Sequence, residues 1–421
     1  MHVWLVNPYG ALPGEAWREY RTVLAARALV AAGHTVTWWV ANFEHRSKRF
    51  RGHAFELRTL FDGFDAAIVP TTGYSAHVSV GRIRFERTFA RRVRAIARTW
   101  PAPAVIVLGE PALFTSKPIV ALAKELGVPL MLDMADLWPE LFQIALPRLL
   151  RPFGRSLFAP LYRRRANLVR GCQGYVAVTR DYLALLQSIA PRSQSAVVYW
   201  GVDVAAVRRE MADQSPLPAA IAERRKSDGD FWVVYAGTLG PNYDTLSILR
   251  AAEALRDTSP EITIFIAGDG ASRAEVEATI AERSLHNCVF LGSLPPVAVT
   301  RIYARCDAAL STYVRESTVS MPIKAFDYLA AGLPIINSLG RDLGWFVDTH
   351  EVGVAYEPGN AAALADAIRT LAGDRVRLGR LAANAVRLGE QFDSRVQYAR
   401  YVEVAEAVAA RGAPQRTLSR S

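Results

Sequence analysis

Short apolar runs, rich in β-branched residues, recur roughly every 25–35 residues along the chain, the spacing of alternating strands and helices. They lie at 3–6, 36–40, 66–69, 105–108, 130–132 and 175–178, and again at 232–235, 262–266, 289–291, 308–310, 335–336 and 352–355. Helical patterns fill the intervals. The runs read as continuous apolar stretches, which suits strands covered by helices on both faces. At 421 residues the chain is long enough for two domains of ordinary size. Two successive βα series therefore predict an α/β protein with two Rossmann-like domains, each a doubly wound parallel sheet. Sheets of this kind bind ligands outside the carboxyl ends of their strands. A polar, turn-rich stretch near 204–228 predicts the boundary.

Hydrophobic residues make up 51% of the chain and charged residues 21%, which excludes a disordered protein. Cys172, Cys288 and Cys306 have no metal-ligand spacing and read as small core residues of a protein from a reducing compartment. The opening MHVWLVNPYG enters a strand with no basic leader, so no signal peptide is expected. No run of about 18 uncharged apolar residues occurs, so no spanning helix is expected.

Charge is placed unevenly. Residues 1–205 carry 26 Lys and Arg against 14 Asp and Glu; residues 206–421 carry 24 against 26. Within the first half, 81–100 holds seven Arg and one Glu, and 147–171 holds seven Arg and no acid. This asymmetry predicts an anionic partner for the N-terminal half alone. In the first stretch Arg84, Arg91 and Arg92 are interleaved with Ile83, Phe85, Phe89 and Trp100. In the second, Arg151, Arg155, Arg163 and Arg164 share the segment with Leu149, Leu150, Phe153 and Leu157. A basic helix with aromatics lies readily on an anionic leaflet. The plainer alternative is a core-facing helix with a solvated basic face. No nucleic-acid recognition module is recognisable.

The stretch 308–339 carries the most chemistry. Its first strand ends in Ser311 and Thr312, and Pro322 opens a helix where its missing N–H costs nothing. Ser320 is the expected N-cap. Gly332 and Pro334 stop the helix. A helix N-terminus at the carboxyl edge of a parallel sheet attracts anions. Lys324, in the first turn, opposes the helix dipole and makes better sense beside a phosphate. Asp327, one turn on, can accept hydrogen bonds from sugar hydroxyls. The plain alternatives are a solvated lysine and a surface aspartate. Tyr328 reads as core.

Other candidates stand at strand ends. Gly237, Thr238 and Leu239 close one strand, with Asp244 as cap of the next helix; Gly268, Asp269 and Gly270 close another. Glycines there let a backbone approach a ligand, or simply turn tightly. No third glycine follows Gly270, so this is not a dinucleotide fingerprint. In the first half, Gly10 and Gly14 lie in a loop suited to covering a diphosphate, while Glu15, Arg18 and Arg21 read equally as a solvated helix start. Glu110, Asp133 and Asp136 end buried strands. A buried carboxylate is costly unless paired or used, so these three are candidates to orient an acceptor hydroxyl or take its proton. For the aspartates the alternative is an N-cap of the helix near Trp138. No Ser/His/Asp set, zinc spacing or Walker lysine loop is recognisable, and neither a metal nor another cofactor is expected.

Pro322, Lys324, Asp327, Tyr328, Ala330, Ala331, Gly332 and Pro334 resemble the P-x-K-x-x-[ED]-Y-x-A-x-G-x-P segment of bacterial family 4 glycosyltransferases, retaining enzymes of GT-B fold. Asp133-Met-Ala-Asp-Leu-Trp-Pro-Glu140 is similar to the D-x-R-D-L-W-P-E element of the subgroup that builds surface polysaccharides. Tyr235-Ala-Gly-Thr-Leu-Gly240, Ile266-Ala-Gly-Asp-Gly270 and Trp200-Gly-Val-Asp203 resemble further family motifs, in the family's order and over nearly the whole chain. There are departures. Val319 replaces the first of two glutamates found eight residues apart in many members, and Asp327 replaces the second. The loop after Gly240 reads Pro-Asn-Tyr-Asp where many members carry a basic residue and Lys-Gly. More weight falls on Lys324, with Arg315 as a reserve.

The resemblance implies two domains facing a cleft. Residues 1–205 would bind acceptor and membrane, 206–390 the nucleotide-sugar, with the base against 291–294. A helix over 391–411 would cross back to the first domain, and 412–421 would be a disordered tail. Gly237, Thr238, Leu239, Gly268, Asp269, Gly270, Ser320, Lys324 and Asp327 would hold the donor. The implied activity is retaining transfer of a sugar, most simply from a UDP-sugar, to a lipid-linked or membrane-anchored glycan. The place implied is the cytoplasm, at the inner face of the membrane. Two other readings stand beside it. A GT-B-fold nucleotide-sugar epimerase would need no membrane patch, so the arginine stretches speak against it. A degenerate, membrane-tethering homologue is motivated by Val319 and the altered loop after Gly240.

Overall fold

The computed structural model describes residues 1–15, 19–76, 79–109, 112–144, 146–191 and 193–412. The chain divides into two compact units, Met1–Tyr199 with Gln397–Ser421, and Trp200–Val396.

Unit 1 contains β1 (His2–Val6), β2 (Thr35–Ala41), β3 (Phe43–Glu44), β4 (Arg49–Phe50), β5 (Glu56–Phe61), β6 (Phe64–Val69), β7 (Val105–Gly109), β8 (Leu130–Met134), β9 (Gly174–Ala177) and β10 (Gln194–Val197). Its helices are α1 (Arg21–Ala31), α2 (Val80–Ala97), α3 (Ser116–Leu126), α4 (Glu140–Ile144), α5 (Gly154–Leu157), α6 (Ala159–Gly171) and α7 (Arg180–Ile189), with a 3-10 turn at Arg148–Phe153. Eight strands form one sheet in the order β10-β9-β8-β7-β1-β2-β6-β5. All its pairings are parallel except that β5 runs antiparallel to β6. A purely parallel sheet was expected. The edge strands β5 and β10 escape an apolar-run reading because neither is buried on both faces: Glu56–Phe61 alternates half-buried and exposed residues before its last pair, and Gln194–Val197 is half-buried throughout. β3 and β4 form a separate hairpin.

Unit 2 contains α8 (Val204–Ala212), α9 (Ala219–Ala222), β11 (Phe231–Ala236), α10 (Thr245–Arg256), β12 (Ile262–Ala267), α11 (Arg273–Glu282), β13 (Cys288–Gly292), α12 (Pro296–Tyr303), β14 (Ala308–Ser311), α13 (Ile323–Ala330), β15 (Ile335–Asn337), α14 (Arg341–His350), β16 (Gly353–Ala355), α15 (Ala361–Gly373) and α16 (Arg375–Gln391). Six parallel strands run in the order β13-β12-β11-β14-β15-β16. β11 and β12 are buried at every residue, as continuous apolar strands must be. The order reverses between β11 and β14, which makes their carboxyl ends the binding edge expected of such a sheet. Asp244 caps α10 by accepting from Ser247 N at 3.1 Å. Its other carboxylate oxygen accepts from Gly359 N at 3.0 Å.

The last helix, α17 (Ser394–Gly412), belongs to unit 1 from Gln397 onward. There Tyr398, Tyr401, Val404 and Val408 join the core beneath the eight-stranded sheet. Of the expected tail 412–421, Gly412 ends this helix and the remainder lies outside the described residues.

Candidate functional site

In unit 2 the loop after β11 and the loop after β12 are fitted into one another. Leu239 N donates to Asp269 O at 2.9 Å, and Ser272 N to Leu239 O at 3.1 Å. A Cβ on Gly268 would stand 1.9 Å from Gly237 O, and one on Gly270 would stand 2.1 Å from Leu239 O. These two glycines are therefore required by loop-on-loop packing, whatever binds there. Gly237 (φ +152) and Thr238 are exposed at the strand end. Leu239 turns its side chain into the core of the unit, so only its backbone is on offer to a ligand. Asp269 is exposed and accepts from Gly270 N at 2.8 Å.

Helix α13 enters beside this pair of loops. Its N-cap is Pro322, in extended conformation and with no side-chain cap. The expected cap, Ser320, is turned elsewhere: it is buried, and its Oγ accepts from Asp342 N at 3.4 Å at the start of α14. Tyr328 is fully buried, as its sequence position suggests, and positions the helix. Its Oη accepts from Ala236 N at 3.0 Å and donates to Leu310 O at 3.3 Å, so it joins α13 to the ends of both strands at the switch.

Lys324 is not a solvated lysine. Its Nζ is shut off from solvent and, among the described residues, has no hydrogen-bond partner. It lies 4.0 Å from the centroid of the Tyr235 ring, 5.0 Å from Tyr313 and 5.2 Å from Tyr243. A Cβ on Gly237 would stand 3.5 Å from it. Burial with no counter-charge brings its pKa down to about 7. Burial also raises the Tyr235 and Tyr313 hydroxyls well above their ordinary range, so both rings remain neutral. At the carboxyl end of β14, the buried Ser311 Oγ and Thr312 Oγ1 likewise lack partners among the described residues. Asp327 is half-buried three residues beyond Lys324 on the same helix. Arg315 is paired with Glu357 at the surface, and Val319 is half-buried.

In unit 1 the loop after β1 is fastened by Arg51. Its guanidinium donates to Gly10 O and to Glu15, each at 2.7 Å. Gly10 has φ +123 and lies against the Trp38 ring; Gly14 has φ +86 with open space around it. Glu15 is thus an ion-pair partner rather than a free helix start. Arg18 and Glu110 lie outside the described residues.

The solvated helix start that stood as an alternative for Arg21 does not form: the structure buries this residue. Its Nε donates to Asp133 Oδ1 at 2.7 Å, and its Nη1 to Val198 O at 2.6 Å. Tyr398 and Tyr401 of α17 flank the guanidinium at 5.9 Å each. Asp133 is therefore committed to a buried ion pair at the core of unit 1. Asp136 lies two residues beyond β8 and is exposed. Its surroundings nevertheless raise the carboxyl above its ordinary range through desolvation, against the opposing charge of Arg82.

Arg82 belongs to a polar cluster that the sequence did not reveal. Its guanidinium lies 4.9 Å from the Trp138 ring centroid, donates to Tyr9 Oη at 2.9 Å, and pairs with buried Glu86 at 3.2 Å. Tyr9 Oη in turn donates to Glu86. Desolvation raises the Glu86 carboxyl, against the Tyr9 hydrogen bond and Arg82. Tyr9 reaches Arg82 and Glu86 from 73 and 77 residues away, which has no signature in a linear pattern, whereas Arg82 and Glu86 have the ordinary helical spacing of four. The tyrosines around Lys324 had a weak signal, since each follows or ends a strand of the switch.

The two arginine stretches differ. On α2, Phe85, Phe89 and Val93 are buried in the core, while Arg84, Arg91 and Arg92 face outward. Arg92 donates to Pro70 O at 2.8 Å. Phe85 and Phe89 thus belong to the core face of an amphipathic helix, and the outer face of α2 is mainly charged, with Val80 exposed at its start. In the second stretch Leu149, Leu150, Phe153 and Leu157 are all exposed. Arg155 and Arg163 are exposed, and Arg151 and Arg164 half-buried. Among the described residues, no helix is long and apolar enough to cross a membrane.

Two Rossmann-like domains, each built on a parallel sheet, are the architecture of the GT-B glycosyltransferases, and the fold is GT-B. The HepE protein of Anabaena, solved in complex with UDP, is similar at a TM-score of 0.66 and 15% identity, covering 96% of this chain and 99% of that one. Sucrose-phosphate synthase from Thermosynechococcus elongatus is similar at 0.68 and 15% identity, over 97% and 99%. In sequence, residues 218–388 match the family model of glycosyl transferases group 1. A glycogen synthase of Mycobacterium tuberculosis is 30% identical over 174 residues, which is 41% of either chain. The match thus spans less than half the length of the curated relatives.

Proposed function

We propose that this protein is a glycosyltransferase that moves a sugar from a nucleotide diphosphate-sugar, UDP-linked, to a hydroxyl of a lipid-linked or membrane-anchored glycan, with retention at the anomeric carbon. One observation carries the donor half: a lysine side chain buried at the switch point of unit 2 with no hydrogen-bond partner among the described residues, against three tyrosine rings. A buried cation is costly until an anion joins it. A diphosphate supplies that anion. Charge develops on it as the bond from the anomeric carbon to phosphate oxygen breaks, and Lys324 with the uncapped N-terminus of α13 opposes that charge. The UDP in the HepE structure supports the choice of nucleotide.

No metal is assigned to this step. Asp136 is the acceptor-side candidate, because Asp133 is already neutralised by Arg21. In a front-face reaction the departing phosphate oxygen assists removal of the acceptor proton, and Asp136 orients the hydroxyl. The exposed apolar and basic segment of unit 1 supports a membrane-anchored acceptor.

Thermal stabilisation by UDP, GDP, TDP and CMP and their sugars tests the donor half. The expected result is a shift with UDP and one UDP-sugar that Lys324→Gln abolishes. No shift with any nucleotide would overturn it.

A further inference from the structure

The segment from Leu149 to Leu157 carries its apolar side chains outward. Leu149 is 88% exposed, Leu150 50%, Phe153 67% and Leu157 61%. Leu149 and Phe153 lie on the 3-10 turn, and Leu157 ends α5 directly after it. The segment is fastened from its other side by polar contacts. Gln143 Nε2 donates to Arg151 O at 3.1 Å, Arg151 Nε to Leu146 O at 3.1 Å, and Tyr162 Oη to Gln143 Oε1 at 3.2 Å. Gly154 is buried against Gln143, where a Cβ would stand 2.5 Å from Cγ. Four large apolar side chains are thus presented to water by a scaffold that does not use them. A patch of that kind, rimmed by charge, marks a surface meant to be covered.

The chain runs from this turn straight into α6, which forms one wall of a groove. α3 forms the other. The groove encloses about 570 Å3, with Lys117, Lys124, Arg163 and Arg164 beside apolar Val120 and Leu168, and no acidic residue among those lining it. Arg164 is held in place by donating to Leu113 O at 3.2 Å and by lying 5.7 Å from the Phe114 ring centroid.

We infer that the groove between α3 and α6 is a phosphate site for an anionic lipid headgroup, and that Leu149, Phe153 and Leu157 enter the acyl boundary beside it. The inference rests on the membrane-anchored acceptor proposed above and assigns the docking element within unit 1. Basic residues near an anionic leaflet and apolar side chains in its interface act together. The groove and the outward leucines are adjacent along the chain and meet both needs. α2 meets only the first, since its aromatics are spent on the core.

The test is sedimentation of the full chain with vesicles of phosphatidylcholine, alone or mixed with phosphatidylglycerol. Circular dichroism melts confirm folding of each variant, and all substitutions are at the surface. The wild type is expected to bind the mixed vesicles. Lys117→Gln with Lys124→Gln and Arg163→Gln should weaken binding about tenfold or more. Leu149→Ser with Phe153→Ser and Leu157→Ser should do the same. Arg84→Gln with Arg91→Gln on α2 and Arg98→Gln at its C-cap should remain within about twofold of wild type. Equal loss in the α2 variant, or full binding by the groove variant, overturns the assignment. Soluble glycerol phosphate distinguishes the source of the phosphate. If it binds the groove while the groove variant still sediments with vesicles, the site takes a free phosphate and the lipid assignment fails. If the wild type binds no vesicle, the membrane-anchored acceptor fails too, and the nucleotide shift still reports separately on the donor site. A concentration-dependent dimer abolished by the serine variant, without vesicle binding, would give the patch to a second copy.

Discussion

The ammonium nitrogen of Lys324 stands 4.0 Å from the centroid of the Tyr235 ring, and no acid is its hydrogen-bond partner among the described residues. A cation held by a ring face but stripped of water titrates early, here at about 7. An incoming diphosphate stabilises the charged form. Nucleotide-sugar binding should therefore take up a proton above pH 7, and affinity should fall about tenfold per pH unit through the range above it. Calorimetry of UDP-glucose binding in buffers of different ionisation enthalpy measures this directly. Lys324→Gln should abolish binding, and a wild-type affinity flat from pH 6 to 9 would contradict the site.

The same burial has a cost for the free protein. The pKa of Lys324 is lower folded than unfolded, so the unfolded chain binds the extra proton between about 7 and 10.5. The penalty is fully present below pH 7 and is relieved as pH rises. Lys324→Met should stabilise the ligand-free protein at pH 6 by on the order of 2–4 kcal/mol, with little gain at pH 10. Urea midpoints at the two pH values check it.

Asp133 and Arg21 are a structural pair, and breaking it leaves a buried charge. Asp133→Asn should cost about 3–5 kcal/mol and loosen α17, whose Tyr398 and Tyr401 flank the guanidinium. Hydrogen exchange of residues 397–412 reports the loosening. Replacing both partners, Arg21→Met with Asp133→Leu, should recover most of the stability. Sugar transfer by that double variant would exclude Asp133 as the base.

Asp136 should behave in the opposite way. Asp136→Asn should leave the melting temperature and the nucleotide shift unchanged and lower kcat about 10²–10⁴-fold. In the wild type the acid limb of the pH profile should lie above the ordinary aspartate range, because desolvation raises this carboxyl. Unchanged kcat would remove Asp136 from the mechanism.

Gly268, directly after β12, and Gly240, four residues after β11, separate packing from ligand approach. Gly268→Ala drives a Cβ into Gly237 O and should cost about 1–3 kcal/mol while weakening nucleotide binding. Gly240→Ala would meet nothing nearer than Thr238 Cγ2 at 3.9 Å and should be tolerated. Melting curves with and without nucleotide compare the two.

The buried parallel strands were legible in the sequence because burial on both faces demands an unbroken apolar run, and β11 and β12 show it residue by residue. Lys324 was legible because a cation in the first turn of a helix opposes its dipole. The cap at Ser320 was not: Pro322 takes the cap position, and a contact with α14, 22 residues away, takes the serine. Nor could a linear pattern separate Asp133 from Asp136. They are three residues apart in one motif, and only the arrival of Arg21 from 112 residues away makes one a core ion pair and leaves the other open. The two arginine stretches look alike in composition. Packing decides that one spends Phe85 and Phe89 on the core and the other turns Leu149, Leu150, Phe153 and Leu157 to solvent. Local periodicity and backbone chemistry are written in the order of residues. The partner of a buried charge, and the face an apolar side chain turns, are set by contacts between segments far apart in the chain, and those the tertiary fold alone decides.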